Sequence, residues 1–213
     1  MGNFEKKQRI MAYSDFTSLR QLEKAFNLKH TIANFLAHTT PELPTEKLRF
    51  DLQEAAEMPL HASEKAKSEL LIMPILKEIR RTHKTFSIYS GYAFDVNPAL
   101  GLNGYCDYLL STDTDSFDIS SAVFCLVEAK NRSVEEGLGQ AGAEMVAAQQ
   151  FNASENKPNQ TVFGCVTNAY EWLFLKLENN LLTLDTERYY LSDNELPRLL
   201  GALAFIVKSS ESR

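Results

Sequence analysis

Between Ala122 and Val127 six apolar residues run without interruption, and the chain then reads Glu128-Ala129-Lys130-Asn131. A run of that kind suits a strand covered on both faces. Side chains alternate along a strand, so Phe124, Leu126, Glu128 and Lys130 are expected on one face, with Val123, Cys125, Val127 and Ala129 on the other. A carboxylate and an ammonium thus emerge side by side where a buried strand leaves the core. That placement is costly unless the charges have partners. A second carboxylate, Asp107, lies in the preceding strand-like segment, Gly104-Tyr-Cys-Asp-Tyr-Leu-Leu110. If the two segments form a hairpin, Asp107 and Glu128 converge at one end of a sheet. Two carboxylates on one hard cation, with a lysine beside them, make a candidate metal-dependent hydrolytic site.

The chain has 213 residues, 44% of them hydrophobic and 23% charged, which suits a single soluble domain with a sizeable core. Its formal net charge of −6 provides no overall basic field to attract nucleic acid, so a nucleic-acid role needs a local basic rim. Cys106, Cys125 and Cys165 sit in apolar segments without CxxC spacing and read as reduced core residues of a cytoplasmic protein. His30, His38, His61 and His83 are scattered, which disfavours zinc. No signal peptide is visible, and no apolar stretch approaches the ~20 residues of a membrane span.

Along the chain, Ser14 or Asp15 is expected to cap a helix carrying Phe16, Leu19, Leu22 and Phe26, and Thr45 opens a second. Residues 1–60 read as a helical extension to a core at 61–213. Ser63 caps the next helix, in which Glu69 shares a face with Ile72, Met73 and Leu76 at spacings of three, four and seven. A carboxylate on an apolar stripe either pairs locally with Lys65 or points toward the Asp107 and Glu128 site. Pro74 predicts a bend. Three strand-like segments follow at 85–96, 103–112 and 122–131. A helix at about 133–151 is rich in small residues, which predicts close approach to the sheet. Gln140 and Glu144 are the polar residues on one line of that helix. Another strand at 160–167, a hairpin turning at Asn179-Asn180 and a closing helix at 194–208 complete a mixed-sheet α/β sandwich with one crossover helix.

With these residues in place, the chain resembles the PD-(D/E)XK nuclease superfamily. That family's core is helix, three strands, helix, strand, matching residues 63–167. Its helix glutamate, second-strand aspartate, third-strand (E/D)-x-K triplet and following glutamine correspond to Glu69, Asp107, Glu128-Ala129-Lys130 and Gln140. No proline precedes Asp107; Cys106 stands there. The segments GLNGYCDYLLS, VEAKN and GLGQAGAEMVAAQ are similar to a bacterial branch, well populated in cyanobacteria, over nearly the whole chain.

The resemblance implies a restriction-endonuclease-like αβββαβ core that hydrolyses phosphodiester bonds, with DNA the expected substrate. It implies Mg²⁺ or Mn²⁺ held by Asp107, Glu128 and the Ala129 carbonyl, with Glu69 available to a second ion or to the water between the two. Lys130 would orient the attacking water or stabilise charge, and Gln140 would orient Lys130, water or a phosphate oxygen. Relatives that cut two strands work as dimers, so a homodimer is admitted. The basic run at Arg80, Arg81 and Lys84 reads as a helix end complementing its dipole or as a phosphate-contacting rim. A second class stays open, because nuclease scaffolds also serve as inactive modules that bind a nucleic acid or a protein.

Overall fold

The structure is a computed structural model and describes residues 11–59, 63–112, 114, 118–119, 122–157 and 161–211. The apolar run at 122–127 lies in strand β4 (Val123–Ala129), every residue of which is buried. On one side β4 pairs antiparallel with β3 (Tyr105–Ser111), and β3 pairs antiparallel with β2 (Ser87–Ala93) at a sheet edge. On the other side β4 runs parallel to β5 (Val162–Thr167), followed by β6 (Glu171–Glu178), β7 (Leu181–Leu184) and β1 (Lys29–Ile32). A short β8 (Tyr189–Tyr190) joins β6, giving an open, mixed eight-stranded sheet.

Helices cover both faces, which explains why β4 is buried throughout and apolar up to Glu128. Helix α5 (Leu138–Ser154) makes the crossover that the parallel β4–β5 pair requires, and α1 (Leu19–Phe26) packs with it through Leu22. The opposite face is covered by α2 (Glu46–Ala56), α4 (Met73–Thr82) and α6 (Leu196–Glu211), through Leu48, Ile75, Leu76, Leu199 and Leu203. Each large side chain fully buried here contributes about 1.5–3 kcal/mol of transfer free energy. Cys106, Cys125 and Cys165 are buried, free thiols.

β4 breaks strict alternation at one place. The β3–β4 register slips between Leu110 and Ser111, so that Ser111 faces Val123 while Leu110 faces Cys125. Phe124 is the extra residue of this bulge. It turns into the layer beneath α4, edge-on to Phe86 with ring centroids 5.8 Å apart, while Leu126 lies in the layer beneath α5. Phe124 therefore does not share a face with Leu126.

The N-terminal extension is not wholly helical. Residues 13–15 form a single 3₁₀ turn, and α1 begins only after Ser18, whose hydroxyl accepts from the Gln21 N–H. Ser18-Leu-Arg-Gln21 is the better cap, because the Gln21 side chain reaches back to the Thr17 N–H at 2.8 Å. β1 then joins the sheet beside β7. All four of its residues are exposed, so it carries no hydrophobic alternation to announce a strand, and backbone hydrogen bonds hold it as an edge.

Ser63 caps α3 (Glu64–Lys67) as expected, but the helix then widens into a π turn at Ser68–Ile72 before α4 resumes. The Met73 N–H donates to the Ser68 carbonyl, five residues back. The wide turn abuts Pro74, where the α-helical ladder is already interrupted by a missing donor. One extra residue in a turn rotates the helix before it by ~100° relative to the helix after it.

The small residues at the start of α5 serve two neighbours. A Cβ at Gly137 would collide with Val166 of β5, the close approach to the sheet expected, while the next glycines face the N-terminal segment. A Cβ at Gly139 would collide with the Phe16 carbonyl, and one at Gly142 with the Leu22 side chain. The closest approach at these glycines is thus made by the N-terminal segment rather than the sheet.

Candidate functional site

The charged end of β4 is built by three elements. The Lys130 N–H donates to the Thr167 carbonyl at 2.8 Å, which keeps the chain pinned to β5 after β4 ends. From β3, Asp107 Oδ2 accepts the Ala129 N–H at 2.8 Å. The pairs Tyr108–Val127 and Leu109–Leu126, continued by one residue, set Asp107 opposite Glu128. Glu128 is only 2% exposed, and its Oε1 forms an ion pair with Lys130 Nζ. From α5, Gln140 Oε1 accepts from Lys130 Nζ at 3.1 Å. The other end of the same amide, Nε2, donates to Glu144 Oε1 at 3.1 Å.

Burial dominates the electrostatics of this cluster. Glu128 is pushed up to about 7 by burial and then by the nearby Asp107 charge, with Lys130 acting in the opposite sense. Burial also raises Asp107, partly offset by the Ala129 N–H and by Lys130. Glu144 is fully buried and lies well above the usual carboxylate range, through burial and then the charge of Glu128. Lys130 is raised, because the charge and hydrogen bond of Glu128 outweigh the lowering effect of burial. Two buried carboxylate oxygens, Oε2 of Glu128 and Oε2 of Glu144, have no donor. Unpaired buried oxygens of this sort are costly and demand a proton, a cation or a water.

The outer wall comes from α3 and its π turn. Lys67 Nζ donates to the Asn131 carbonyl at 2.7 Å and to Asn131 Oδ1 at 3.2 Å, and lies 5.8 Å from the centroid of the Tyr170 ring. The hydroxyls of Ser68 and Tyr108 are 2.5 Å apart. Glu69, by contrast, pairs with Lys65 at 2.8 Å, and its side chain is 60% exposed. The structure does not bring it to Asp107 or Glu128. Helical periodicity carried through residues 68–72 misplaces it, because the π turn changes the phase between Glu69 and Leu76. The helix acid whose charge reaches Lys130 is Glu64.

Arg80, Arg81 and Lys84 lie away from this site. Arg80 and Arg81 stand in the last turn of α4, the helix end expected of them, and Lys84 follows it. The chain then leads into Ser87, which pairs with Ser111, and Ser111 pairs with Val123. That is the opposite end of β4 from Glu128, five residues or ~16 Å along a strand. Arg81 is also committed elsewhere. It forms an ion pair with the buried Glu78 and donates to Thr45 Oγ1 at 3.2 Å. Arg80 stacks over Phe86 at 6.0 Å.

Two residues of the cluster were not assigned to the site from sequence. Glu144 is visible only as a polar residue four places after Gln140, on a helix so rich in small residues that no face stands out. Lys67 sits one turn into a capped helix with ordinary surface composition.

Among the described residues, no three His, Cys, Asp or Glu side chains lie close enough to hold a metal ion. His30 pairs with Glu23 and His83 with Glu42, while His61 lies outside the described residues. The donors that are present suit a hard cation held by fewer side chains. Asp107 and Glu128 are oxygen ligands in mutual electrostatic range, and one Glu128 oxygen lacks a donor. A Mg²⁺ or Mn²⁺ ion placed here would have these two carboxylates to bind, with a backbone carbonyl such as that of Ala129 as a further oxygen. No protein-family model matches the chain, and no curated protein matches it either.

Proposed function

We propose that this chain is a divalent-metal-dependent nuclease of the PD-(D/E)XK type, hydrolysing phosphodiester bonds of DNA on a restriction-endonuclease-like core made of α4, β2, β3, β4, α5 and β5. The observation that carries this reading is the Lys130 ammonium, held between Glu128 and Gln140 at the end of β4 with Asp107 on the neighbouring strand. A bound Mg²⁺ or Mn²⁺, held by Asp107 and Glu128, would polarise the phosphate and lower the pKa of a water. Lys130 supplies a fixed positive charge at the position where negative charge grows on the phosphate oxygens. Its two acceptors restrict the swing of a flexible four-carbon side chain. Asp107 is oriented by the Ala129 N–H, so its second oxygen is aimed without loss of rotamer freedom at the moment of binding. Gln140 faces Lys130 with its carbonyl and so holds the ammonium without neutralising it.

A second reading keeps the scaffold and drops the chemistry: a non-catalytic module that binds a protein or a nucleic acid. The net charge of −6 and the internal engagement of Arg81 favour it. Plasmid, single-stranded DNA and RNA incubated with purified protein in Mg²⁺, Mn²⁺ or EDTA separate the two. Metal-dependent cleavage that falls by at least ~100-fold in Lys130→Ala, with the fold intact, supports the nuclease. Full cleavage by Lys130→Ala identifies a contaminant and overturns the assignment.

A further inference from the structure

Glu144 is the most deeply buried carboxyl beside the site, and the roles proposed above make no use of it. We propose that Glu144 is a positioning residue that closes a ring of hydrogen bonds through Gln140, Lys130 and Glu128, and so holds the Lys130 ammonium in one place. The ring can be followed atom by atom. Glu128 Oε1 meets Lys130 Nζ, which donates to Gln140 Oε1, and Gln140 Nε2 donates to Glu144 Oε1. The last link is the proposed one: it joins the two carboxyls, whose Oε2 atoms are both buried and have no hydrogen-bond partner.

The arrangement settles an ambiguity built into glutamine. An amide can turn over and exchange its carbonyl for its NH₂ at little cost. At Gln140 that turn would point a donor at the Lys130 ammonium and release it. Glu144 Oε1 is an acceptor, and it fixes the NH₂ on its own side and the carbonyl on the side of Lys130. Glu144 is itself held by α5, four residues after Gln140 on the same helical line. This deepens the site proposed above, yet the contacts it invokes exist whether or not the chain cleaves nucleic acid.

The ring makes two substitutions at one position behave oppositely. Glu144→Gln still offers a carbonyl to Gln140 Nε2 and an N–H to Glu128, so the ring stays closed. Glu144→Met keeps the volume and removes both links, in a buried place where an apolar isostere is usually tolerated. The test is pulse acetylation of the folded proteins with acetic anhydride. The modification rate of Lys130 is read by peptide mass spectrometry against Lys65, whose side chain is 82% exposed. In the wild type Lys130 reacts slowly. Glu144→Met should raise its rate relative to Lys65 by ~10-fold or more, the loss expected for a hydrogen bond to a charged group, and Glu144→Gln should leave it within ~2-fold of the wild type.

If Glu144→Met does not fold, Glu144→Ala takes its place with the same expectation. Lys130 staying protected in a folded Met or Ala variant overturns the proposal, as does deprotection by Glu144→Gln. This readout needs no metal or substrate. A failed nuclease assay with an intact acetylation pattern leaves the ring standing, and an altered pattern with intact Lys130-dependent cleavage removes only the ring.

Discussion

Two glutamates stand on helices that flank the same strand end, and they fare in opposite ways. Glu69, before α4, lies on the solvent side of a π turn with Lys65 as its partner. Glu144, on α5, is fully buried, with Gln140 and Glu128 around it. Periodicity leaves Glu69 open between a pair with Lys65 and the site, and the nuclease resemblance counts it as a ligand, whereas the three-dimensional arrangement puts Glu144 beside the Lys130 cluster. The difference teaches that exposure, more than residue type or spacing, decides whether an acid shapes a site. A solvated carboxylate is screened by water and transmits little, whereas a buried one must be satisfied by the groups it touches.

The largest expected effect that sharpens this contrast is kinetic. Glu144→Met should slow metal-dependent cleavage by ~10–100-fold, the usual cost of losing a group that orients a primary site residue, mostly in kcat. Glu69→Gln should stay within ~3-fold of the wild type, because removing an exposed ion pair changes little at the site. Equal losses in the two variants would restore Glu69 to the role that the resemblance implies and break the comparison.

How far the sequence carried depends on the kind of pattern each residue belongs to. Asp107, Glu128, Lys130 and Gln140 were legible because two strongly apolar strands, the helix that follows and the resemblance place them, and the structure brings all four together. The sheet and its covering helices were likewise written in the apolar run of β4 and the small residues of α5. β1 was not legible, since an exposed edge strand is held by backbone bonds that any sequence can make. Glu69 misled because a 3.6-residue period was carried across a five-residue turn. The bulge at Phe124 was hidden because every residue around it is apolar, and either face would accept it. Arg80 and Arg81 were legible as a helix end, which they are, but not as lying far from the site, because charge clusters in sequence do not reveal which end of a sheet they reach.

The next effect is one of pH. Glu128 titrates near 4.3 in an unfolded chain and is pushed up to about 7 in the folded one, and burial raises Glu144 as well. Between those values the folded form holds more protons than the unfolded form, so stability falls as pH rises through the window and is fully present below it. Glu144→Gln removes one buried titration and gives Glu128 a permanent donor. Thermal melts should therefore decline less from pH 5 to pH 8 in this variant than in the wild type, whereas Glu69→Gln should decline as the wild type does. Identical slopes in wild type and Glu144→Gln would show that the buried pair does not couple to folding.

The smallest effect expected is at the exposed pair. Lys65→Met should leave the melting temperature unchanged within error at moderate salt, because exposed ion pairs on a helix are largely screened. A clear loss of stability there would mean that the Lys65–Glu69 pair braces the π turn, and the contrast between the two glutamates would narrow.

The most direct measurement of the proposed site needs no substrate. Thermal melts of the wild type and Asp107→Asn are recorded in EDTA and in millimolar Mg²⁺, Mn²⁺ and Ca²⁺. An ion that binds only the folded state at tenfold excess over Kd adds about 1.4 kcal/mol. For a chain of this size that raises the wild-type melting temperature by about 3–6 °C. Asp107→Asn removes one ligand together with its repulsion of Glu128, so it should melt at or above the metal-free wild type and lose most of the response to Mn²⁺. A wild type that melts at the same temperature in EDTA and in every ion would contradict a metal site at Asp107 and Glu128 and leave the non-catalytic module as the better description.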